Sequence, residues 1–186
     1  MRLNIHTLIH PTIHKLAHEI IYQKSHNKLQ HTDNEKTLGM LIFYEILRKW
    51  LKINNIYIKK VDVLKERHLL NKLDKYLILT NIIECYNILA DIPRILPEPY
   101  LKHIDFNNIN INNSFYSNEN LQEYKIIIFE KFLKNYGIIE IINYLHKNNQ
   151  IDLNHIKIIC LACNSNILKY LAKKHPQLSI YTIKIN

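Results

Sequence analysis

Four groups of residues have types and spacings that could support chemistry. His10, His14 and His18 recur at every fourth position, and His-x3-His on one helix face can hold a metal ion. No neighbouring acid or cysteine completes a ligand set, so no metal site is expected. Cys160 and Cys163 make a Cys-x-x-Cys pair. A redox or zinc role needs that pair at a helix start, or a second such pair, whereas this one closes an apolar run. Two separate thiols are expected, with oxidation to a local disulfide as the alternative. Glu45 and Arg48 lie three apart beside Tyr44 and share a helix face, which reads as a structural ion pair. Lys131 and Lys134 precede Gly137; they could draw an anion to a helix start or form a solvated edge.

The composition narrows what such groups can do. The chain has 186 residues, 47% hydrophobic and 22% charged, enough for one domain with a full core. No run of eighteen apolar residues occurs, so no membrane span is expected, and the first residues lack the apolar stretch of a secretory signal. Three cysteines do not make a disulfide framework and fit a reducing compartment. Only Gly39 and Gly137 are glycines. Amides that wrap a phosphate need several close together, so a glycine-rich phosphate loop is excluded. Isoleucine (34), asparagine (23), lysine (21) and tyrosine (12) dominate, while arginine and alanine number 4 each. That is the bias of AT-rich codons and points to an AT-rich genome, such as that of an organelle or a reduced microbe. The net charge of +9 would suit nucleic acid. The lysines are scattered and follow the same codon bias, so nucleic acid is not the expected partner.

The elements that must position these groups follow from periodicity. Helices are predicted after Pro11 to about residue 24, and over Thr37–Ile53. Ile56–Val63 alternates and reads as a strand. Apolar runs at Tyr76–Thr80, Lys125–Phe129, Ile156–Leu161 and Ile180–Ile185 read as strands, with a further one over Lys102–Ile109. Helices fill Ile82–Ile92, Gly137–Lys147 and the stretch from Asn164 or Ser165 to Lys174. Residues 107–120 hold seven asparagines and read as a loop. Short apolar strands alternating with helices predict an α/β fold with a mostly parallel sheet flanked by helices. One domain over 1–186 is expected, with a helical N-terminal part (1–55) and an α/β core (56–186).

Four blocks then resemble uracil phosphoribosyltransferases, which join uracil to phosphoribosyl pyrophosphate in pyrimidine salvage. They are His10-Pro11-Thr12-Ile13-His14-Lys15-Leu16; Leu38-Gly39 through Tyr44-Glu45 and Arg48 to Leu51; Leu79 to Pro97; and Ile156 to Asn186, with His175-Pro176 and Tyr181-Thr182. The resemblance covers almost the whole chain in order. Trp50 is similar to cyanobacterial versions, which together with the codon bias places the protein in a plastid, the cytoplasm being the alternative. The resemblance implies a type I phosphoribosyltransferase-like fold.

It also implies where ligands would sit, and there the chain departs from the family. In the family, an acid and a Thr-Gly-Gly turn hold the ribose phosphate. The matching residues here are Glu130, Asn135, Tyr136 and Gly137, and Tyr136 would place a ring where phosphate oxygens must approach the backbone. The family's Arg and Gly of the pyrophosphate loop are Ile83 and Cys85 here, with Glu84 between them. The segment that binds uracil in the family would lie beyond Asn186. The expectation is therefore a catalytically inactive homologue with no catalytic residue, cofactor or metal, and with doubtful small-molecule binding. A homodimer or a larger protein complex is a possible assembly. The alternatives are a non-catalytic scaffold or regulatory subunit, and a basic RNA-binding protein.

Overall fold

The computed structural model describes residues 3–22, 28–48, 50–61, 63–71, 74–96, 98–107 and 120–186. In chain order these form β1 (Asn4–Thr7), α1 (Pro11–Tyr22), α2 (Lys28–Leu47), β2 (Ile53–Lys60), β3 (Val63–Leu70), β4 (Lys75–Thr80) and α3 (Ile82–Leu89). There follow β5 (Tyr100–His103), β6 (Tyr124–Leu133), α4 (Gly137–Asn143), β7 (Ile156–Cys163), α5 (Ser165–Lys174) and β8 (Ser179–Ile185). Six strands make one parallel sheet in the order β1-β8-β7-β6-β4-β5, and β2 and β3 pair antiparallel in a sheet of their own.

The central strands are apolar on both faces because both are covered. On β6, Ile126 and Ile128 point into one layer with Ile158 of β7, under Ile138 and Ile142 of α4 and Ile167 and Leu171 of α5. Ile127 and Phe129 point into the other, with Ile159 and Leu161, under α1, α2 and α3. Capping fixes where several helices begin. Pro11 opens α1, where its missing N–H costs nothing. The Asn164 side chain accepts from Asn166 N at 2.8 Å to start α5.

Several boundaries differ from the sequence reading. The helix predicted over 37–53 is α2, which starts at Lys28 and stops at Leu47. Its polar first half has no apolar stripe to detect. It is tied down instead by Asn34 donating to Glu19 (2.9 Å) and by buried Glu35. Ile53 opens β2, and the single strand expected over 56–63 belongs to a hairpin, Lys60 of β2 pairing with Val63 of β3; residue 62 lies outside the described residues. β1 was not expected in a helical N-terminal part; its four exposed residues carry no apolar pattern and are held by pairing with β8. The strand over 102–109 is the shorter β5, ending at His103. Helix α3 ends at Leu89, before a separate 3-10 turn at Ile92–Arg94. Helix α4 ends at Asn143, in a wider π turn over Tyr144–Asn148. Of the asparagine-rich loop, residues 108–119 lie outside the described residues, as do residues 23 and 24 at the expected end of the first helix.

At Gly39, α2 approaches α3 closely. A Cβ built there would lie 1.9 Å from the Ile88 carbonyl oxygen, so backbone must move to admit it. Gly39→Ala is expected to cost about 1–3 kcal/mol, read as a lower denaturant midpoint at unchanged m-value.

Candidate functional site

The topology itself locates a crevice. After β4 the chain moves outward to β5; after β6 it moves the opposite way, to β7. The connections diverge above the β4–β6 pair, and in open α/β sheets ligands bind at such a switch point, beyond the C-terminal strand ends. Two segments border it: Asn81 with the first turn of α3, and the end of β6 with the turn into α4.

On the β4 side, Ile83 projects into solvent, 85% exposed. Cys85 turns the other way into the core beneath α2, and burial pushes its thiol up. Asn81 holds the N-cap position of α3 without a side-chain cap bond, and its buried Oδ1 has no hydrogen-bond partner. The Ile82 N–H donates instead to His103 Nδ1 on β5 at 3.1 Å. The free first donor that would attract an anion is thereby occupied.

On the β6 side, Glu130 is 8% exposed and its Oε2 has no partner. Burial, followed by the charge of Glu84, pushes its carboxyl up to about 8. Asn135 donates to Asn107. The Tyr136 ring leans edge-on to Tyr170 of α5 at 5.9 Å and is 55% exposed. Gly137 starts α4 with an ordinary negative φ, so no left-handed turn requires glycine there. Ile83, Glu84, Glu130, Asn135, Tyr136 and Gly137 thus border one crevice, whereas Cys85 is core.

The cations of the region are engaged elsewhere. Lys131 Nζ lies 2.6 Å from Glu35 Oε1, and Glu35 is 3% exposed. Asn87 Nδ2 donates to the other Glu35 oxygen at 2.8 Å, and His31 lies 3.8 Å from it. This buried network joins α2, α3 and β6 across 96 residues of sequence. Nothing in spacing signalled it; a glutamate amid a polar helix start reads as solvated. Lys134 Nζ sits 4.9 Å over the Phe132 ring.

The remaining candidates fall outside the crevice. Cys160 and Cys163 are both buried free thiols. A hydrogen bond between them pushes Cys160 up and, with Cys163 as acceptor, brings Cys163 down to about 7. Both stand on extended β7. The two thiols lie close enough to interact and both are free, not joined as the local disulfide. His10 Nδ1 accepts from Thr12 N at 3.3 Å, and His18 tilts against Tyr22 with ring centroids 5.0 Å apart. Among the described residues no three His, Cys, Asp or Glu side chains gather as metal ligands. Glu45 and Arg48 form a solvated pair at 2.9 Å, of the kind that contributes a few tenths of a kcal/mol. A cavity of about 210 Å³ lined by Leu77, Tyr100 and Tyr124 opens elsewhere, near the strand starts.

A six-stranded parallel sheet with helices on both faces and a crevice at the β4–β6 switch point is a type I phosphoribosyltransferase-like α/β architecture. No protein-family model matches the chain. A protein of Porphyra purpurea named uracil phosphoribosyltransferase homolog is 32% identical over 189 aligned residues, covering 100% of this chain and 90% of its own. Its namesake in Pyropia yezoensis is 31% identical over the same shares. The chain belongs to this family of uracil phosphoribosyltransferase homologues. The solved AQ2163 protein of Aquifex aeolicus superposes at TM-score 0.70 over 98% of this chain and 87% of that one. Its 18% identity makes that a likeness of fold. Among the described residues no helix is long and apolar enough to cross a membrane.

The buried acid has a pH signature. Unfolded, Glu130 loses its proton near 4.5; folded, it keeps it to about 8. The folded state holds the extra proton between those values, so stability falls as pH rises through that window. Glu130→Gln is expected to flatten this slope between about pH 5 and 8 and to stabilise the protein at pH 8 by a few kcal/mol, followed by thermal melts across pH.

Proposed function

We propose that this chain is a phosphoribosyltransferase-family protein, of pyrimidine-salvage descent, that does not transfer a phosphoribosyl group and serves as a non-catalytic subunit or scaffold. One observation carries the reading: two carboxyl groups, Glu84 and Glu130, influence each other at the crevice where a polyanion would have to enter. The substrate of the family's namesake enzyme carries a phosphate and a diphosphate. Such a ligand needs cations or inward-turned amides. At the crevice it would meet Ile83 and Glu84 on one side. On the other, Lys131 is bound to Glu35 and Lys134 rests on Phe132. Near neutral pH Glu130 keeps its proton and Glu84 is the repelling charge; desolvating a phosphate against it costs free energy that no described group at the crevice returns.

The core supports the scaffold half of the reading. Both apolar layers are filled, with the central β6 and β7 isoleucines fully buried, so the fold persists where ligand groups do not. A plastid location remains part of the proposal, resting on the codon bias.

The test is calorimetry with phosphoribosyl pyrophosphate and magnesium, paired with an assay for UMP from uracil. No saturable heat and no UMP are expected. Saturable binding, or turnover that is lost in Glu130→Ala, would overturn the reading.

A further inference from the structure

Two side-chain oxygens at the crevice, Asn81 Oδ1 and Glu130 Oε2, are buried without a hydrogen-bond partner among the described residues. The sheet register makes them neighbours. Thr80 lies opposite Phe129 in the β4–β6 ladder, so Asn81 and Glu130 are the next residues across it. Asn81 is still extended (φ −74°, ψ 94°), which keeps both side chains on one face of the sheet. Farther along the same row, Glu130 lies opposite Cys160 and Cys160 opposite Thr182. None of these four side chains is a cation. A buried oxygen with nothing to accept from costs free energy, and here two of them adjoin.

The surroundings specify what kind of group would satisfy them. Glu84 adds its charge from the first turn of α3. Cys160 keeps its proton, because a hydrogen bond with Cys163 and burial push its thiol up. His103 on β5 has Nδ1 occupied by the Ile82 N–H, and Asp105 just beyond accepts from the Asn107 N–H. Lys102 of β5 is separated from Glu130 by β4. Lys131 and Lys134 are held by Glu35 and Phe132. The notch therefore offers a carbonyl oxygen, a carboxyl that can ionise and a second carboxylate at its lip, with no cation set against them among the described residues. An alkylammonium carries three N–H donors and a guanidinium five, and neither has an acceptor. Ile83, 85% exposed at the mouth, gives the methylene stem of such an ion an apolar surface to lie on.

We propose that the crevice binds a small organic cation, a primary alkylammonium or guanidinium ion, with its head between Asn81, Glu130 and Glu84. The head donates to Asn81 Oδ1 and Glu130 Oε2. The Glu130 carboxyl loses its proton to solvent as the ion enters, so one positive charge replaces another beside it and the buried carboxylate is paired. The same arrangement rejects a quaternary ammonium, which has the charge and no donor, and a neutral alcohol, which leaves the carboxyl un-ionised. The proposal rests on the reading above that the crevice excludes polyanions.

The experiment is an NMR titration of the full-length, nitrogen-15-labelled protein with n-butylammonium and with methylguanidinium chloride at pH 6, 7 and 8. The controls are tetramethylammonium chloride, 1-butanol and a capped lysine tripeptide, with phosphoribosyl pyrophosphate and magnesium titrated separately. Saturable shifts are expected with the two donor-bearing cations, at the Asn81 side-chain amide and the backbone amides of 82–84 and 130–131. Affinity should rise about tenfold from pH 6 to 7 and level off above about 8, because binding releases the Glu130 proton. Glu130→Gln should weaken binding at least about tenfold and remove the pH dependence; Asn81→Ala should weaken binding and leave the pH dependence in place. Unchanged cross-peaks from β7 and α5 verify that the variants are folded. No shifts, equal shifts with tetramethylammonium or 1-butanol, or affinity independent of pH would overturn the proposal. So would tighter binding of the lysine tripeptide than of n-butylammonium, which assigns the crevice to a side chain of a partner protein. Saturable binding of phosphoribosyl pyrophosphate would overturn the functional reading and this proposal with it, whereas a silent titration with the cations overturns this proposal alone.

Discussion

A parallel sheet covered on both faces offers a ligand only its rim, and at this rim the decisive constraint is the burial of Glu130. The carboxyl cannot swing into water, because it stands on β6, where Ile126 to Phe129 are locked between two helical layers. Its neighbour Glu84 stands on the first turn of α3. The seat of α3 is set by Gly39 of α2, which lets the two helices close to backbone contact at Ile88. Core packing thus fixes where the two acids meet, and the proposed function rests on their meeting. Protonation of Glu130 near neutral pH is the molecule's way of accommodating that placement.

The Glu35 network is the counterpart on the other side of β6. A glutamate buried to 3% exposure needs a partner, and Lys131 supplies it, with Asn87 satisfying the second oxygen. Removing either member of such a pair strands a buried charge, which makes the arrangement hard to undo one residue at a time. The lysine that could have faced an anion is therefore part of the framework. The cation serves the helix packing, and the proposed absence of anion binding rests in part on that engagement.

Much of this fold was legible in the sequence because the central strands are buried on both faces. The runs at Tyr76–Thr80, Lys125–Phe129 and Ile156–Leu161 hold little but apolar residues and belong to β4, β6 and β7. Elements held by other forces were not legible. β1 is held by pairing with β8 and the start of α2 by Asn34 and Glu35, and neither writes an apolar period; of the β2–β3 ribbon, only the alternation from Ile56 was legible, and the reversal into β3 was not. The rim positions were found through family resemblance, and their chemistry emerged only in three dimensions. Tyr136, expected to obstruct the turn, leans to Tyr170, and Cys85, expected at the rim, is core. The proposed function rests instead on the acids and the engaged lysine, which are brought together across long stretches of chain.

The most direct measurement is a carbon-13 NMR titration of the Glu130 side-chain carboxyl, assigned with Glu130→Gln and recorded with and without phosphoribosyl pyrophosphate and magnesium. This account predicts a midpoint near 8 that the ligand leaves in place. A midpoint in the ordinary carboxylate range, or one displaced by the ligand, would contradict it.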